Sequence, residues 1–344
     1  MQKLLLSVLF AGTMLAPAIP AQAATKIIVG AVPSLPNAPV YIAINKGYFK
    51  KYGLEVEAQP VGSSSDLAAM LASGKLQAIA GAPSVGFFNT FDKGLPLKVI
   101  MSGATSPYNQ AIMLRHGLKD VVKTPADLKG RTIAVNNRGS ITMYQVSKVL
   151  ESGGLTLKDV SMKFMPFNQM PVALSNSAID AAMMISPSIE VAEEKQFAFR
   201  WINPDDVIKV QPTDISLMQV NTNWVKEDPQ AAYHFVLAYM QARRDYCDAF
   251  HFGPNRKEVV GMMARYTKIQ DEAFIDRISW TALEPNGRVS EASLMAIQDF
   301  FFDQEYVKQK HAFSDMVDMN LIERAAAELG PYKPAHDDGR KGCR

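Results

Sequence analysis

The segment Asn136-Asn137-Arg138-Gly139-Ser140-Ile141-Thr142 crowds two amides, a guanidinium and two hydroxyls around one glycine. These are groups that can hold a small anion. Asn136, Ser140 and Thr142 can donate hydrogen bonds, and Arg138 carries a planar fork that matches a carboxylate or a sulfonate. The plain alternative for Arg138 is a solvated loop charge. A second donor-rich stretch is Val61-Gly62-Ser63-Ser64-Ser65-Asp66, where Ser64 and free backbone amides can meet an oxyanion at the positive end of a helix. Its alternative is a capping box of Ser63 with Asp66, and Asp66 would oppose an anion. Asn37, in the proline-rich turn from Pro33 to Pro39, is a ligand contact or simply a turn residue. Ser84 caps a helix or faces a cleft. Ser186 and Ser188, in Met184-Ile185-Ser186-Pro187-Ser188, add two hydroxyls, and Tyr108 and Asp214 stand where the chain would cross between two halves, as hinge or pocket groups. Phe164, Met165, Phe167, Met183 and Met184 can wall an apolar part of a ligand, although many of the 18 methionines must fill core.

Catalytic patterns are missing from this sequence. The histidines, His116, His234, His251, His311 and His336, show no HExxH or paired spacing, and no cysteine joins them in a zinc set. No Gly-x-Ser-x-Gly elbow, Walker loop or GxGxxG follows a strand-like run. A binding role without cofactor or metal is therefore expected, and no enzyme activity.

The elements that would position these residues alternate. Lys26 to Gly30, Leu54 to Ala58, Ala78 to Gly81 and Lys98 to Met101 read as strands, with helices over Pro39 to Lys50, Ser65 to Ser73 and Ser84 to Lys93 between them. The pattern restarts with strands at Arg131 to Val135, Ser161 to Phe164 and Ala181 to Ile185, and helices at Ser140 to Ser152 and from Pro171. Such an order is an α/β fold of open, mostly parallel sheets flanked by helices. The candidate residues fall after strand ends, where ligands sit in such sheets. Gly47 ends a helix in a left-handed turn with Tyr48-Phe49 folding back as apolar cover, and Thr124-Pro125-Ala126-Asp127 starts a helix with a cap, a proline and an acid.

At the front of the chain, Lys3 precedes the apolar run Leu4 to Ala11, and Ala21-Gln22-Ala23 is a small-any-small cleavage site. Residues 1–23 read as a signal peptide, cut near Ala23-Ala24. The apolar run is too short for a stable membrane anchor. The remaining length suits two lobes. Composition is ordinary, with 48% hydrophobic and 20% charged residues, and 36 basic against 34 acidic side chains leave no electrostatic footprint for nucleic acid. Only Cys247 and Cys343 are present; they form no disulfide framework, and a single bridge between them stays open in an oxidising compartment.

Three blocks carry a family resemblance: Pro39-Val40-Tyr41-Ile42-Ala43-Ile44-Asn45-Lys46-Gly47-Tyr48-Phe49 through Val56, Thr124-Pro125-Ala126-Asp127-Leu128-Lys129-Gly130-Arg131 through Val135, and Ala178-Ile179-Asp180-Ala181-Ala182. Together they resemble the periplasmic solute-binding proteins of the nitrate, sulfonate, taurine and thiamine-precursor uptake group. The resemblance implies a two-lobed type II binding-protein fold that closes by hinge motion. The first lobe would be discontinuous, residues 24–106 with 217–329; residues 107–216 would form the second lobe and residues 330–344 a mobile tail. It implies a monomer in the periplasm that captures a small molecule and hands it to an inner-membrane ABC permease with its ATPase. The donor set favours a small organic anion, a sulfonate or carboxylate, with an aromatic ring allowed. A thiamine-precursor pyrimidine or nitrate stays open as ligand, as does a sensor that reports occupancy to a membrane receptor. A pyrimidine-precursor synthase shares this fold, but its cysteine-rich iron motif is absent here.

Overall fold

The computed structural model describes residues 24–31, 34–60, 64–106, 110–267 and 269–343. The stretch read as a signal peptide and Tyr108 lie outside the described residues, as do the side chains at Ser64 and its neighbours.

The first lobe holds β1 (Thr25–Ala31), β2 (Leu54–Pro60), β3 (Ala78–Gly81) and β4 (Leu97–Thr105), connected by α1 (Ala38–Asn45), α2 (Tyr48–Lys51), α3 (Ser64–Ala72) and α4 (Val85–Asp92). The long helix expected over Pro39 to Lys50 is broken at Gly47, whose φ of 70° only glycine adopts without strain. Phe49 then folds back and stacks on Phe235, ring centroids 5.3 Å apart. The second lobe holds β5 (Gln110–Arg115), β6 (Thr132–Val135), β7 (Ser161–Phe164), β8 (Ala181–Ile185) and β9 (Ala198–Ile202), with α5 (Ile141–Ser152), α6 (Met170–Ser175) and α7 (Ser188–Glu194). Before β6, Thr124 and Asp127 form the capping box, here on a short 3-10 turn over Pro125–Leu128.

The sheet orders are β2-β1-β3-β10-β4 and β7-β6-β8-β5-β9, where β10 is Asp214–Asn221. Each sheet is mixed rather than simply parallel. In the first, β10 runs antiparallel between β3 and β4; in the second, β5 runs antiparallel between β8 and β9. The reversed strand is in each case the one that has just arrived from the other lobe. A chain that crosses a hinge enters the new sheet from its facing end, so it must run against strands that point toward that hinge. Because β10 begins at Asp214, residues 214–216 belong to the first sheet and the second crossover precedes them, a correction to the boundary at 217.

The rest of the chain returns to the first lobe: α8 (Thr222–Glu227), α9 (Pro229–Phe250), α10 (Arg256–Thr267), α11 (Glu272–Arg277) and α12 (Glu291–Asp303). Of these, α12 braces both lobes. Phe301 packs toward Phe88 of α4 at 6.1 Å between ring centroids, and Phe300 meets Tyr144 of α5 edge-on at 5.5 Å. One apolar cluster accordingly contains Phe88 and Leu217 from the first lobe and Val135 and Met183 from the second.

The tail is not mobile. Cys343 is buried, bonded to Cys247 of α9, and its amide donates to Leu283 O at 3.0 Å. Tyr332 Oη and the Ala335 amide both donate to Asp248, each at 2.9 Å. Buried His251 has Asp338 Oδ1 at 2.7 Å from one ring nitrogen and the Gly342 carbonyl 3.1 Å from the other. Composition pointed to mobility because it is silent about such long-range partners.

Candidate ligand cleft between the lobes

The segments that follow β3 and β6 meet. After β3, Ser84 caps α4 by accepting from the Phe87 amide at 3.3 Å, and the next amide, Val85 N, donates to Gly139 O in the other lobe at 2.9 Å. Gly139 has a φ of +73°, and a Cβ built on it would lie 2.7 Å from Val85 Cγ2. The approach of the lobes at this point therefore needs glycine for both its conformation and its lack of bulk. Asn37 is buried at the turn that opens α1, with Nδ2 3.4 Å from Ser34 Oγ. Ser64 opens α3. These are the first-lobe positions expected from sequence, and all follow strands.

In the second lobe the anticipated donor array turns inward. Thr142 Oγ1 donates to Asn136 Oδ1 at 2.7 Å, Ser140 Oγ lies 2.8 Å from the Asn137 carbonyl, and the two hydroxyl oxygens are 2.8 Å apart. Each hydroxyl has one proton. Both are engaged within the segment, so Ser140 and Thr142 shape the start of α5 instead of presenting donors. Arg138 is exposed; its guanidinium lies 4.9 Å over the Phe164 ring, and Nη1 is 3.4 Å from Tyr306 Oη of the first lobe. It forms a rim contact between lobes. Met183 and Met184 are core residues of β8.

The start of α7 is different. Ser186 Oγ donates to Glu190 Oε1 at 2.7 Å, and the same oxygen accepts from Arg200 Nη2 at 2.8 Å and from the Ser279 amide of the first lobe at 3.3 Å. Arg200 Nε also reaches Glu193, at 3.0 Å. One turn further along α7, Glu194 pairs with Arg277 of α11 across the lobes. Glu190 is buried, and its Oε2 has no hydrogen-bond partner among the described residues. A buried carboxylate oxygen without a donor costs on the order of 1–3 kcal/mol. Ser188 is buried in the first turn of the same helix. Sequence reasoning chose Ser186 and Ser188 and passed over Glu190, because an acid in a first turn reads as ordinary complement to the helix dipole.

Asp214 belongs to the hinge. It is fully buried, with Oδ1 accepting from Ser102 Oγ at 2.6 Å and Oδ2 from the Ser290 amide at 2.8 Å, while its own amide donates to Ser293 Oγ at 2.9 Å. It thereby ties β10 to the start of α12. Burial pushes its pKa up to about 7, against the pull of Ser102, Ser290 and Arg243. The two crossovers are stitched together nearby: Ser106 Oγ donates to Gln211 Oε1 at 2.8 Å, and the Ser106 and Thr213 backbones are bonded. Gln110 bridges Asp205 at 2.9 Å and Gln145 at 2.6 Å. Burial raises the Asp205 pKa, opposed by its bonds to Gln211, Ser106 and Gln110. A cavity of about 500 Å³ beside the hinge is lined by Ser106, Asp205, Gln211, Glu284 and Lys341, among others, and by none of the strand-end residues named above.

The geometry can be set beside known proteins. The family described as NMT1/THI5 like matches residues 36–248. A putative thiamine biosynthesis protein of Haemophilus influenzae is 27% identical over 214 residues, 60% of this chain, and the match spans 65% of that relative, just under two-thirds of its length. A 4-amino-5-hydroxymethyl-2-methylpyrimidine phosphate synthase of Uromyces fabae is 23% identical over 245 residues, covering 68% of this chain and 67% of that one. Among solved structures, the periplasmic aliphatic sulphonate binding protein SsuA of Escherichia coli superposes with a TM-score of 0.69 at 15% identity, over 92% of this chain and 94% of that one. At that identity the match establishes fold, the two-lobed type II arrangement, and leaves the ligand to the residues.

Proposed function

Because the chain belongs to the NMT1/THI5 like family, we propose that it is the substrate-binding component of an ABC uptake transporter. It works in the periplasm after loss of residues 1–23, closes its lobes on one small molecule and delivers it to an inner-membrane permease with its ATPase. One observation carries this reading: the segments that follow β3 and β6, one in each lobe, touch directly, Val85 N on Gly139 O at 2.9 Å. A site enclosed by two hinged bodies is suited to capture and release.

For the ligand, a small organic anion such as a sulfonate or carboxylate has Arg138 and the helix starts at Ser64, Ser84 and Ser140 in its favour. A second reading has a specific observation behind it. The hydroxyl protons of Ser140, Thr142 and Ser186 are engaged by protein acceptors, and the unfilled group is an acceptor, Glu190 Oε2. A ring with an N–H donor, of the thiamine-precursor aminopyrimidine type, meets that need, whereas nitrate and simple sulfonates bring only acceptors. We take the donor-bearing ring as the better fit.

Binding proceeds without chemistry in this reading, although the Uromyces relative is named as a synthase. Both cysteines are held in a disulfide and so supply no thiolate. Native mass spectrometry of protein purified from its source identifies the ligand. At about 100 times its dissociation constant that ligand raises stability by about 2.7 kcal/mol and shrinks the radius of gyration in X-ray scattering. Covalent conversion of the ligand by the purified chain overturns the transport reading.

A further inference from the structure

We infer that the bridge between Cys247 and Cys343 is a redox modification site that latches a C-terminal strap onto the hinge. A dithiol that reduces it releases the strap and loosens the first crossover, while both sheets stay folded. This control needs no ligand in the cleft, and so stands or falls independently of the transport reading. Residues 331–342 carry no helix or strand, and none of them is buried. They run along the end of α9: Tyr332 and Ala335 donate to Asp248, His336 Nδ1 lies 2.6 Å from the His251 carbonyl, and Arg340 donates to the Phe250 carbonyl. Such contacts are individually weak, because water competes for the same groups. Cys343 is the buried residue of the strap, and its bridge ties a segment with no core of its own to the first-lobe core around Cys247.

The strap ends against the hinge. Cys343 N donates to Leu283 O at 3.0 Å, and a Cβ on Gly342 would lie 2.6 Å from that of Ala282. The Ala282 carbonyl in turn accepts from the Thr105 amide at 2.9 Å, at the end of β4, and the next amide, Ser106 N, donates to Thr213 O of the second crossover at 2.9 Å. Strap, residues 282–283 and both crossovers thus form one run of backbone contacts. Gly342 and Cys343 also wall the cavity of about 500 Å³ that Ser106 and Gln211 of the crossovers line. Lifting the strap removes that wall and the support behind Ala282. The cavity gives the reductant its approach as well. Cys247 lies inside α9 with no exposure, whereas Cys343 is on the cavity wall, so Cys343 Sγ is the sulfur nearer an incoming thiolate. Attack there breaks the S–S bond and releases Cys247 as a thiolate; the second thiol of the reductant then displaces Cys343 and leaves as a disulfide. Two electrons pass from the dithiol to the cysteines, which take up two protons.

The test is amide hydrogen exchange on the purified protein before and after dithiothreitol, without denaturant, with iodoacetamide labelling and mass spectrometry to count the thiols. Oxidised protein should take no label and reduced protein two. On reduction the Ala335 and Cys343 amides should lose their protection, and the Thr105 and Ser106 amides should exchange about tenfold faster or more, while the amides of β6 in the second lobe change less than about twofold. A difference confined to strap and hinge separates a latch from a bridge that merely adds to overall stability, since global loosening would speed exchange in both lobes alike. Cys343→Ser should reproduce the reduced protein without any reductant. Three results overturn the inference: a bridge that dithiothreitol cannot reduce until denaturant is added, a strap that loosens while Thr105 and Ser106 keep their protection, or exchange that rises equally across both lobes. If Cys343→Ser does not fold, wild type reduced in place gives the same reading, and loss of both sheets in that sample also overturns the inference.

Discussion

Asp214 and Glu190 are two buried carboxylates at the junction of the lobes, and they have opposite bonding patterns. Both oxygens of Asp214 are taken, one by Ser102 Oγ and one by the Ser290 amide. Glu190 stacks its donors on one oxygen and leaves the other bare. A filled carboxylate is a structural rivet, and a half-filled one keeps an acceptor in reserve. The start of α5 extends the contrast, since Ser140 and Thr142 look like binding groups by type and behave like Asp214, satisfied from within. What remains unsatisfied after folding indicates the polarity of the ligand better than the inventory of polar residues does.

The largest effect should come from Asp214. Replacing it with Ala strands the Ser102 hydroxyl and the Ser290 amide in a buried site, at a cost of about 4 kcal/mol in stability, read by chemical denaturation. Its titration gives a second handle. Because burial raises the folded-state pKa from 3.8 to about 7, the folded protein binds a proton that the unfolded chain has released. Stability is therefore full below about pH 4 and declines as pH rises through 7, by on the order of 4 kcal/mol from this group. Asp214→Asn should flatten that part of the profile. An unchanged profile in Asp214→Asn would show that the acid does not titrate between pH 4 and 7 in the folded protein and stays ionised there, its two accepting bonds outweighing burial.

A smaller effect is expected at the direct contact between lobes. Gly139→Val places a branched side chain where a Cβ alone would be 2.7 Å from Val85 Cγ2, on a residue with φ of +73°. Backbone strain should cost about 1–3 kcal/mol in stability, and the blocked approach should weaken ligand binding about 10-fold or more, with a larger radius of gyration in the liganded state. Thr142→Val sharpens the contrast from the other side. It removes the donor to half-buried Asn136 Oδ1 and should cost about 1 kcal/mol of stability while ligand affinity stays within about threefold. A large loss of affinity would return Thr142 to the list of ligand contacts.

Most of the regular elements were legible because their signals are local: β-branched runs for β1 and β6, a short apolar run for β3, the Gly47 break, and the cap at Thr124 with Asp127. The reversed strands β5 and β10 were less so. Each takes its direction from a crossing of the hinge, which no local pattern encodes. The bridge between Cys247 and Cys343 and the fixed tail join residues 96 apart in sequence, and composition weighed against both. Within the candidate site, the strand ends were legible and the roles were not. Ser84 reads identically as a cap or a ligand donor, and Glu190 reads as a favourable first-turn acid until the structure shows which of its oxygens is filled.

Arg138 should produce the smallest effect, although the sequence sets it inside the donor-rich segment Asn136 to Thr142 and offers its fork to an anion. In the structure Arg138 is exposed, its guanidinium lies 4.9 Å over the Phe164 ring, and Nη1 is 3.4 Å from Tyr306 Oη. An exposed cation over a ring contributes about 0.5–1 kcal/mol, and that contact crosses no buried boundary. Arg138→Ala should accordingly shift stability by about 0.5 kcal/mol and ligand affinity by less than about threefold, with Lys equivalent to Arg. A buried charge pair with an anionic ligand would instead make the same substitution cost about 2–5 kcal/mol of binding, with Lys only partly restoring it because it lacks the fork. Calorimetry on the two variants separates these outcomes by more than its error. The larger loss would place the anion at the α5 start after all, and the difference between the two helix starts would then be one of ligand position rather than of ligand polarity.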